Sequence, residues 1–168
     1  MSTGRDMFSS EITGKAHEVL KTLRKREYRL ATAESCTGGL LSAALTEIPN
    51  SSEVFERGYV TYSNESKVEL LTVPTYYIED FGAVSFQTAI AMAEGALLMS
   101  RADISVSITG VAGPDGGTRR TPVGTVYIAT AYQGHETVYE LHSFSGSRNS
   151  IREKAVFTAL EMILKRID

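Results

Sequence analysis

The sequence predicts an α/β fold, a three-layer α/β/α sandwich with a mixed, mostly parallel sheet. Strand-like segments alternate with helix-like segments through the first two thirds of the chain, which is typical of parallel strands joined by helices. A hairpin pattern then appears near the C-terminus and adds an antiparallel member to the sheet. The 168 residues, 42% of them hydrophobic and 22% charged, predict one domain over residues 1–168. Residues 1–8 are expected to form a loose terminus.

Local patterns place the elements of the first half. The first helix, capped by Ser9 or Ser10, is predicted because its apolar residues fall on one face. Asn64 is expected to cap a later helix, and Pro74 to break the chain after it. The predicted elements of this half are a helix over 10–25, a strand over 28–33, a helix over 40–46, a strand over 54–62 and a helix over 64–71.

The second half begins with residues 86–99, which are apolar almost all round and therefore predict a buried helix. Residues 104–108, rich in isoleucine and valine, predict a strand. Residues 133–135 predict the turn of a hairpin. A final helix is expected because Ile151, Ala155 and Ala159 recur on one face. The remaining predicted bounds are strands over 123–132 and 137–144 and a helix over 147–167.

Charge and composition exclude several classes of protein. The net charge of −3 and the pI of about 5.7 leave no global basic field, so we expect no nucleic-acid partner. The single cysteine, Cys36, excludes an internal disulfide framework and fits a reducing compartment. No apolar run approaches the roughly 20 residues that span a membrane, and the N-terminus lacks the apolar core of a signal peptide. We expect a cytoplasmic protein without membrane contact, compatible with a homo-oligomer, a dimer or a trimer.

Three loops rich in small polar residues leave the carboxyl ends of predicted strands, after residues 33, 62 and 108. Ligands of open parallel sheets bind beyond these ends. The convergence of three such loops is a stronger signal than any single motif. It predicts a ligand site at this edge of the sheet.

The first two of these loops contain a serine and a lysine with two interpretations each. The turn at Ser35 has backbone N–H groups that can stabilise an oxyanion or hold a phosphate, but a plain helix cap with glycines that ease the turn fits equally well. Lys67 is either a solvated surface residue or a general base whose pKa is lowered by the helix terminus and burial. Cys36 is either a nucleophile or a small packed residue.

The third loop, over 109–117, is rich in glycine but matches neither the Walker A motif nor the dinucleotide fingerprint. It is either a flexible turn or a mononucleotide site. Arg148 and Arg152, one helical turn apart, can bind a phosphate or carboxylate, although a solvated pair explains them too, more readily for Arg152. The three histidines lack metal-ligand spacing, and one cysteine cannot complete a zinc site with them, so no metal is expected.

Five motifs follow one another along the chain: AESCTGG at 33–39, VTYSN at 60–64 with Lys67, GAVS at 82–85, TGVAGP at 109–114 with Gly116 and Gly117, and PVGTV at 122–126. Together they resemble the CinA C-terminal domain family, the nicotinamide-nucleotide amidohydrolases. They cover nearly the whole chain, from about Ser10 to the end. The sequence departs from the family pattern at Arg57, where a small residue often precedes Gly58, and at Ser147, where an acidic residue often precedes Arg148.

The resemblance implies hydrolysis of the carboxamide of nicotinamide mononucleotide to nicotinic acid mononucleotide and ammonia, in pyridine nucleotide recycling, without a cofactor or a metal. It implies Ser35 as the nucleophile and Lys67 as the base, with Tyr62 orienting Lys67 or relaying a proton. Backbone N–H groups near residues 37–39 would hold the oxyanion, and Arg148 would bind the phosphate of the nucleotide substrate. The implied substrate-binding residues are Glu34, Thr37, Gly38, Gly39, Asn64, Thr109, Gly110, Gly113 and Arg148.

Two other functions compete with the amidohydrolase. A non-catalytic nucleotide-binding or regulatory module, linked to competence or the DNA damage response, would keep the glycine loops but would not need Ser35 and Lys67 together. A DNA-associated protein is suggested by the family name alone, and the acidic pI argues against it.

Overall fold

A five-stranded sheet forms the centre of the molecule, whose computed structural model describes residues 6–168. The strands are β1 (Leu30–Glu34), β2 (Phe55–Val60), β3 (Ile104–Gly110), β4 (Thr125–Tyr132) and β5 (Val138–Ser143). They lie in the order β2-β1-β3-β4-β5.

Strand β1 pairs in parallel with both of its neighbours, β2 and β3. Strand β4 runs antiparallel to β3, and β5 runs antiparallel to β4. Four strands therefore share one direction and only β4 opposes them, which confirms the mixed, mostly parallel sheet. Because β1, β2 and β3 end at the same edge, the loops that follow them meet there.

Helices cover both faces of the sheet. On one face α1 packs on α6 and α2, and α6 packs on β3 and β4; on the other, α5 crosses β1, β3 and β4 and carries α3 and α4. This arrangement confirms the three layers. The helices are α1 (Ser10–Lys25), α2 (Leu40–Thr46), α3 (Asn64–Leu71), α4 (Thr75–Phe81), α5 (Phe86–Leu98) and α6 (Arg148–Ile167), with a short 3-10 turn at Ser51–Glu53. None of the helices in residues 6–168 is both long and apolar enough to span a membrane.

Small residues line the contacts that helix α5 makes with the sheet and with α3. Seven of its residues are buried, among them four alanines and Gly95. The hydroxyls of Ser105 and Ser107 on β3 donate to the carbonyl oxygens of Ala93 and Ala89 on α5, each over 2.6 Å. These bonds fix the helix over the strand that leads to the third loop.

The structure corrects several sequence expectations. Pro74 does not only break the chain: it is the N-cap of α4, a helix that the sequence did not predict, because proline is well suited to a helix start. The cap of α3 is Ser63 rather than Asn64, since the Ser63 side chain accepts from the Ser66 N–H. Residues 1–5 of the expected loose terminus lie outside the described residues, whereas Phe8 is buried in the core.

Alanine in place of glycine should have opposite effects at two helical positions. At the exposed Gly14 in α1 an added Cβ atom meets nothing within 4 Å, so Gly14→Ala should raise the free energy of unfolding by about 0.5–1 kcal/mol. At Gly95 the Cβ atom would lie 1.9 Å from the Leu71 carbonyl oxygen, so Gly95→Ala should lower it by about 1–3 kcal/mol. Urea unfolding measures both changes, and a Gly95→Ala protein as stable as wild type would contradict this packing.

Candidate active site

Ser35 and Lys67 come together at the carboxyl edge of the sheet. Lys67 Nζ lies 3.1 Å from Ser35 Oγ, within hydrogen-bond distance, although the residues are 32 positions apart in the sequence. The parallel pairing of Glu34 with both Val60 and Ile108 produces this meeting, because it aligns the ends of the three strands. Lys67 is only 1% exposed and Ser35 9% exposed. The solvated-surface interpretation of Lys67 is therefore wrong.

Lys67 is held by neutral oxygen atoms. Besides Ser35 Oγ, its Nζ atom lies 2.8 Å from the carbonyl oxygen of Thr61, 3.4 Å from that of Tyr62 and 3.5 Å from that of Ser63. Burial lowers the pKa of Lys67 below its ordinary value, and the nearby Cys36 and Glu65 oppose this effect more weakly. The site thus shifts Lys67 towards the neutral amine.

Glu34 anchors the helix that follows the serine turn. Its carboxylate accepts hydrogen bonds from the N–H groups of Leu41 and Ser42, over 2.8 and 3.0 Å, and from the Ser42 hydroxyl over 2.7 Å. Gly39, the N-cap of α2, has no side chain to do this. Glu34 is fully buried, so its placement favours a structural role over the expected contact with substrate.

The turn after Ser35 leaves backbone donors free. The Gly38 N–H donates to the Ser35 carbonyl oxygen and the Leu40 N–H to that of Thr37, each over 3.0 Å. In the described part of the chain, the N–H groups of Thr37 and Gly39 have no protein acceptor. Gly38 and Gly39 both have positive φ, +58° and +97°, a conformation that glycine adopts without strain. Of the three expected oxyanion donors, Gly38 is already bonded, while the N–H groups of Gly39 and of the fully buried Thr37 have no acceptor in the described residues.

Two further side chains of the expected substrate-binding set point inwards. Thr37 is fully buried, and its Oγ1 has no partner within residues 6–168. Thr109 is 1% exposed, and its hydroxyl donates to the Ala83 carbonyl oxygen over 2.8 Å, which ties the 82–85 segment to β3. Both residues are closed to solvent.

Tyr62 and Arg148 form an exposed pair across the loops. Arg148 Nη2 donates to the Tyr62 hydroxyl over 3.1 Å, and Nη1 donates to the Gly113 carbonyl oxygen over 2.7 Å. The Tyr62 hydroxyl therefore pairs with Arg148 rather than with Lys67, and only the Tyr62 backbone carbonyl approaches the lysine. Arg148 begins α6 and joins the second loop to the third.

Asn64 and Gly110 also belong to the expected substrate-binding set. Asn64 is exposed on the first turn of α3, and Gly110 ends β3.

Arg152 lies in the site, contrary to the expectation of a solvated side chain. It is half-buried, and its Nη2 donates to the Thr37 carbonyl oxygen over 2.9 Å, directly behind the serine turn. Its spacing of one helical turn from Arg148 was the sequence signal for this position. That spacing could not show which of the two arginines points inwards.

Cys36 packs beside the serine. Burial raises the pKa of its thiol to about 11, so the thiolate needed for attack is scarce near neutral pH. Its placement favours the packed residue over the nucleophile.

A serine beside a buried lysine, with free N–H groups in a glycine turn, defines the class of protein: an α/β/α fold with a candidate acyl-transfer site. The model of the CinA C-terminal domain family matches residues 12–167, and the chain belongs to that family.

Known proteins resemble the chain over most of its length. It is 43% identical to the nicotinamide-nucleotide amidohydrolase PncC of Escherichia coli, covering 94% of this chain and 95% of that protein. It is 45% identical to a putative competence-damage inducible protein of Acetivibrio thermocellus, covering 96% of this chain but 39% of that protein. The chain spans 34–39% of the first five curated relatives it matches.

Solved structures share the fold. The competence/damage inducible protein CihA of Agrobacterium tumefaciens superposes with a TM-score of 0.94 at 42% identity, covering 96% of this chain and 98% of that one. A CinA superfamily protein of Escherichia coli superposes with a TM-score of 0.89 at 32% identity, covering 99% of both chains.

Proposed function

We propose that this chain is an amidohydrolase that converts nicotinamide mononucleotide to nicotinic acid mononucleotide and ammonia. The observation that carries the proposal is the 3.1 Å approach of Lys67 Nζ to Ser35 Oγ in a buried position. The name of the Escherichia coli relative, which aligns over 95% of its length, supports the same reaction class. Pyridine nucleotide recycling is the process that such a reaction serves.

The neutral form of Lys67 suits its surroundings. A neutral amine has two N–H groups, which can donate to the nearby carbonyl oxygens, and one lone pair, which can accept the Ser35 hydroxyl proton. In the first step Lys67 takes that proton while Ser35 Oγ bonds to the carboxamide carbon. The electron pair of the C=O bond moves to oxygen, where the N–H groups of Thr37 and Gly39 stabilise the negative charge.

The proton held by Lys67 then passes to the leaving nitrogen. The C–N bond breaks, ammonia departs, and the nicotinoyl group remains as an ester of Ser35. Water next attacks this ester while Lys67 accepts a water proton. The bond between the acyl carbon and Ser35 Oγ breaks, Lys67 returns the proton to Ser35 Oγ, and nicotinic acid mononucleotide leaves. The sum of the steps is amide plus water giving acid plus ammonia.

Arg148 is the proposed contact for the substrate phosphate. It begins α6, where backbone N–H groups and the helix dipole favour an anion. Its guanidinium is exposed, and two of its nitrogens are already oriented by Gly113 and Tyr62. Binding energy gathered at the phosphate can position the amide over Ser35.

The catalytic interpretation explains the burial of Lys67, which the interpretation as a nucleotide-binding module does not. Burial of a lysine with only neutral partners opposes its charged form and costs free energy. A module that only binds a nucleotide has no use for that arrangement, whereas a general base requires it.

The serine and its neighbour should respond differently to alanine. Ser35→Ala should abolish release of ammonia from nicotinamide mononucleotide and leave the fold intact, because only the nucleophile is removed. Cys36→Ala is the matched control at the adjacent position and should retain substantial activity, because its thiol is buried and protonated. An ammonia assay measures both variants. Near-normal activity of Ser35→Ala would refute the serine mechanism.

The role of Lys67 as the base predicts how kcat/KM depends on pH. The neutral amine is the active form and burial lowers the Lys67 pKa, so kcat/KM should rise with pH and level off well below the ordinary lysine value of roughly 10.4. Lys67→Arg should be inactive, since arginine keeps its proton in this range. Steady-state rates measured from neutral to alkaline pH test both points. An active Lys67→Arg enzyme would remove Lys67 from this role.

Arg148 should bind the phosphate of the substrate. Arg148→Ala should lower kcat/KM strongly for nicotinamide mononucleotide and much less for the phosphate-free riboside, which lacks the group that Arg148 contacts. The ratio of kcat/KM for nucleotide over nucleoside, compared in both proteins, measures the effect. An unchanged ratio would assign the phosphate to the glycine loop at 109–117 instead.

A further inference from the structure

Arg152 holds the backbone of the serine turn from outside. It is the second arginine of α6, half-buried behind the turn, and its Nη2 donates to the Thr37 carbonyl oxygen over 2.9 Å. Its Nε is buried and has no partner in the described part of the chain. Unlike Arg148, it makes no hydrogen bond to Tyr62 or to the third loop.

The peptide unit between Thr37 and Gly38 is held at both ends. Its carbonyl oxygen accepts from Arg152 and from the Leu40 N–H, while its N–H donates to the Ser35 carbonyl oxygen. The free N–H groups of Thr37 and Gly39 belong to the peptide units on either side. Their directions therefore depend on this unit.

The turn needs such support because it is built from two glycines with positive φ. Glycine loses more conformational freedom on ordering than any other residue, so a glycine turn keeps its shape only when contacts define it. A Cβ atom at Gly38 would lie 3.6 Å from Arg152 Nη2, an ordinary contact distance, so the guanidinium packs directly against this residue. Glu34 anchors the start of α2, and Arg152 anchors the Thr37 carbonyl oxygen.

We propose that Arg152 is a positioning residue, which orients the Thr37 and Gly39 N–H groups towards the oxyanion and places a fixed positive charge behind the turn. This inference rests on the proposed amidohydrolase function. It assigns distinct tasks to two arginines one helical turn apart: Arg148 binds substrate, and Arg152 stabilises the transition state through the backbone. The charge of Arg152 reaches the turn, since it counteracts the burial that raises the pKa of Cys36, and does so more than Arg148.

The experiment compares Arg152→Ala, Arg152→Lys and a matched control, Arg166→Ala. Arg166 is also a half-buried arginine of α6 with an unpartnered buried Nε, and it donates to the Glu136 carbonyl oxygen at the opposite end of the sheet. Loss of well-directed oxyanion donors costs about a hundredfold in kcat. We expect that loss for Arg152→Ala, with KM for nicotinamide mononucleotide within about threefold of wild type. Arg152→Lys should recover part of kcat through its single donor, and Arg166→Ala should keep kcat within about twofold.

Hydrogen exchange of the peptide covering 35–41 provides a readout that needs no substrate. Arg152→Ala should speed exchange there and leave the peptide covering β4 unchanged, whereas Arg166→Ala should not affect residues 35–41. If wild type lacks amidase activity, the proposed function fails while exchange still reports on the turn.

Three outcomes would overturn the positioning role. They are wild-type kcat in Arg152→Ala, a change confined to KM, or equal loss of kcat in Arg152→Ala and Arg166→Ala. Should Arg152→Ala fail to fold, Arg152→Lys decides, since wild-type kcat in a folded Arg152→Lys protein with faster exchange at 35–41 would also refute it.

Discussion

The site depends on removing the Lys67 amine from water. An ammonium group surrounded by neutral carbonyl and hydroxyl oxygens is poorly compensated, so burial shifts the lysine towards the form that can accept a proton. The fold must supply the free energy for this. It does so through α3, which is capped at Ser63 and packs on α5, so that Lys67 is directed between the sheet and its neighbouring loops. The same placement of Lys67 puts its Nζ atom 3.1 Å from Ser35 Oγ.

Backbone geometry on the serine side is controlled by two charged residues that do not contact the serine hydroxyl. Glu34 binds the first free N–H groups of α2, and Arg152 binds the carbonyl oxygen one residue before the glycine pair. Between them lies a turn in which Gly38 and Gly39 both have positive φ, a conformation that glycine adopts without strain. A flexible segment thus becomes a defined array of donors because both of its sides are anchored to regular structure.

The rest of the molecule positions these parts. Small residues line the contacts of α5, and the hydroxyls of Ser105 and Ser107 hold the helix against β3 through hydrogen bonds to its carbonyl oxygens. Thr109 continues this line of contacts by binding the Ala83 carbonyl oxygen just before α5 begins. Helix α6, on the other face, brings arginines to the site at one end and to the hairpin at the other. Stability of both layers therefore bears on the geometry of the site.

By itself the sequence determined the fold class and the strands and longer helices, because these follow from periodicity. It also determined the convergence of three loops, because strands that alternate with helices run parallel and end at the same edge of the sheet. It also predicted Ser35 and Lys67, although periodicity left the lysine between surface and interior. Only the tertiary structure decided which polar side chains point inwards. Glu34 and Thr109 bind backbone groups, and Arg152, one helical turn after Arg148, binds the backbone of the serine turn. The Thr109 and Arg152 contacts join residues 26 and 115 positions apart, and the Glu34 contact spans seven positions, so helix or strand periodicity encodes none of them.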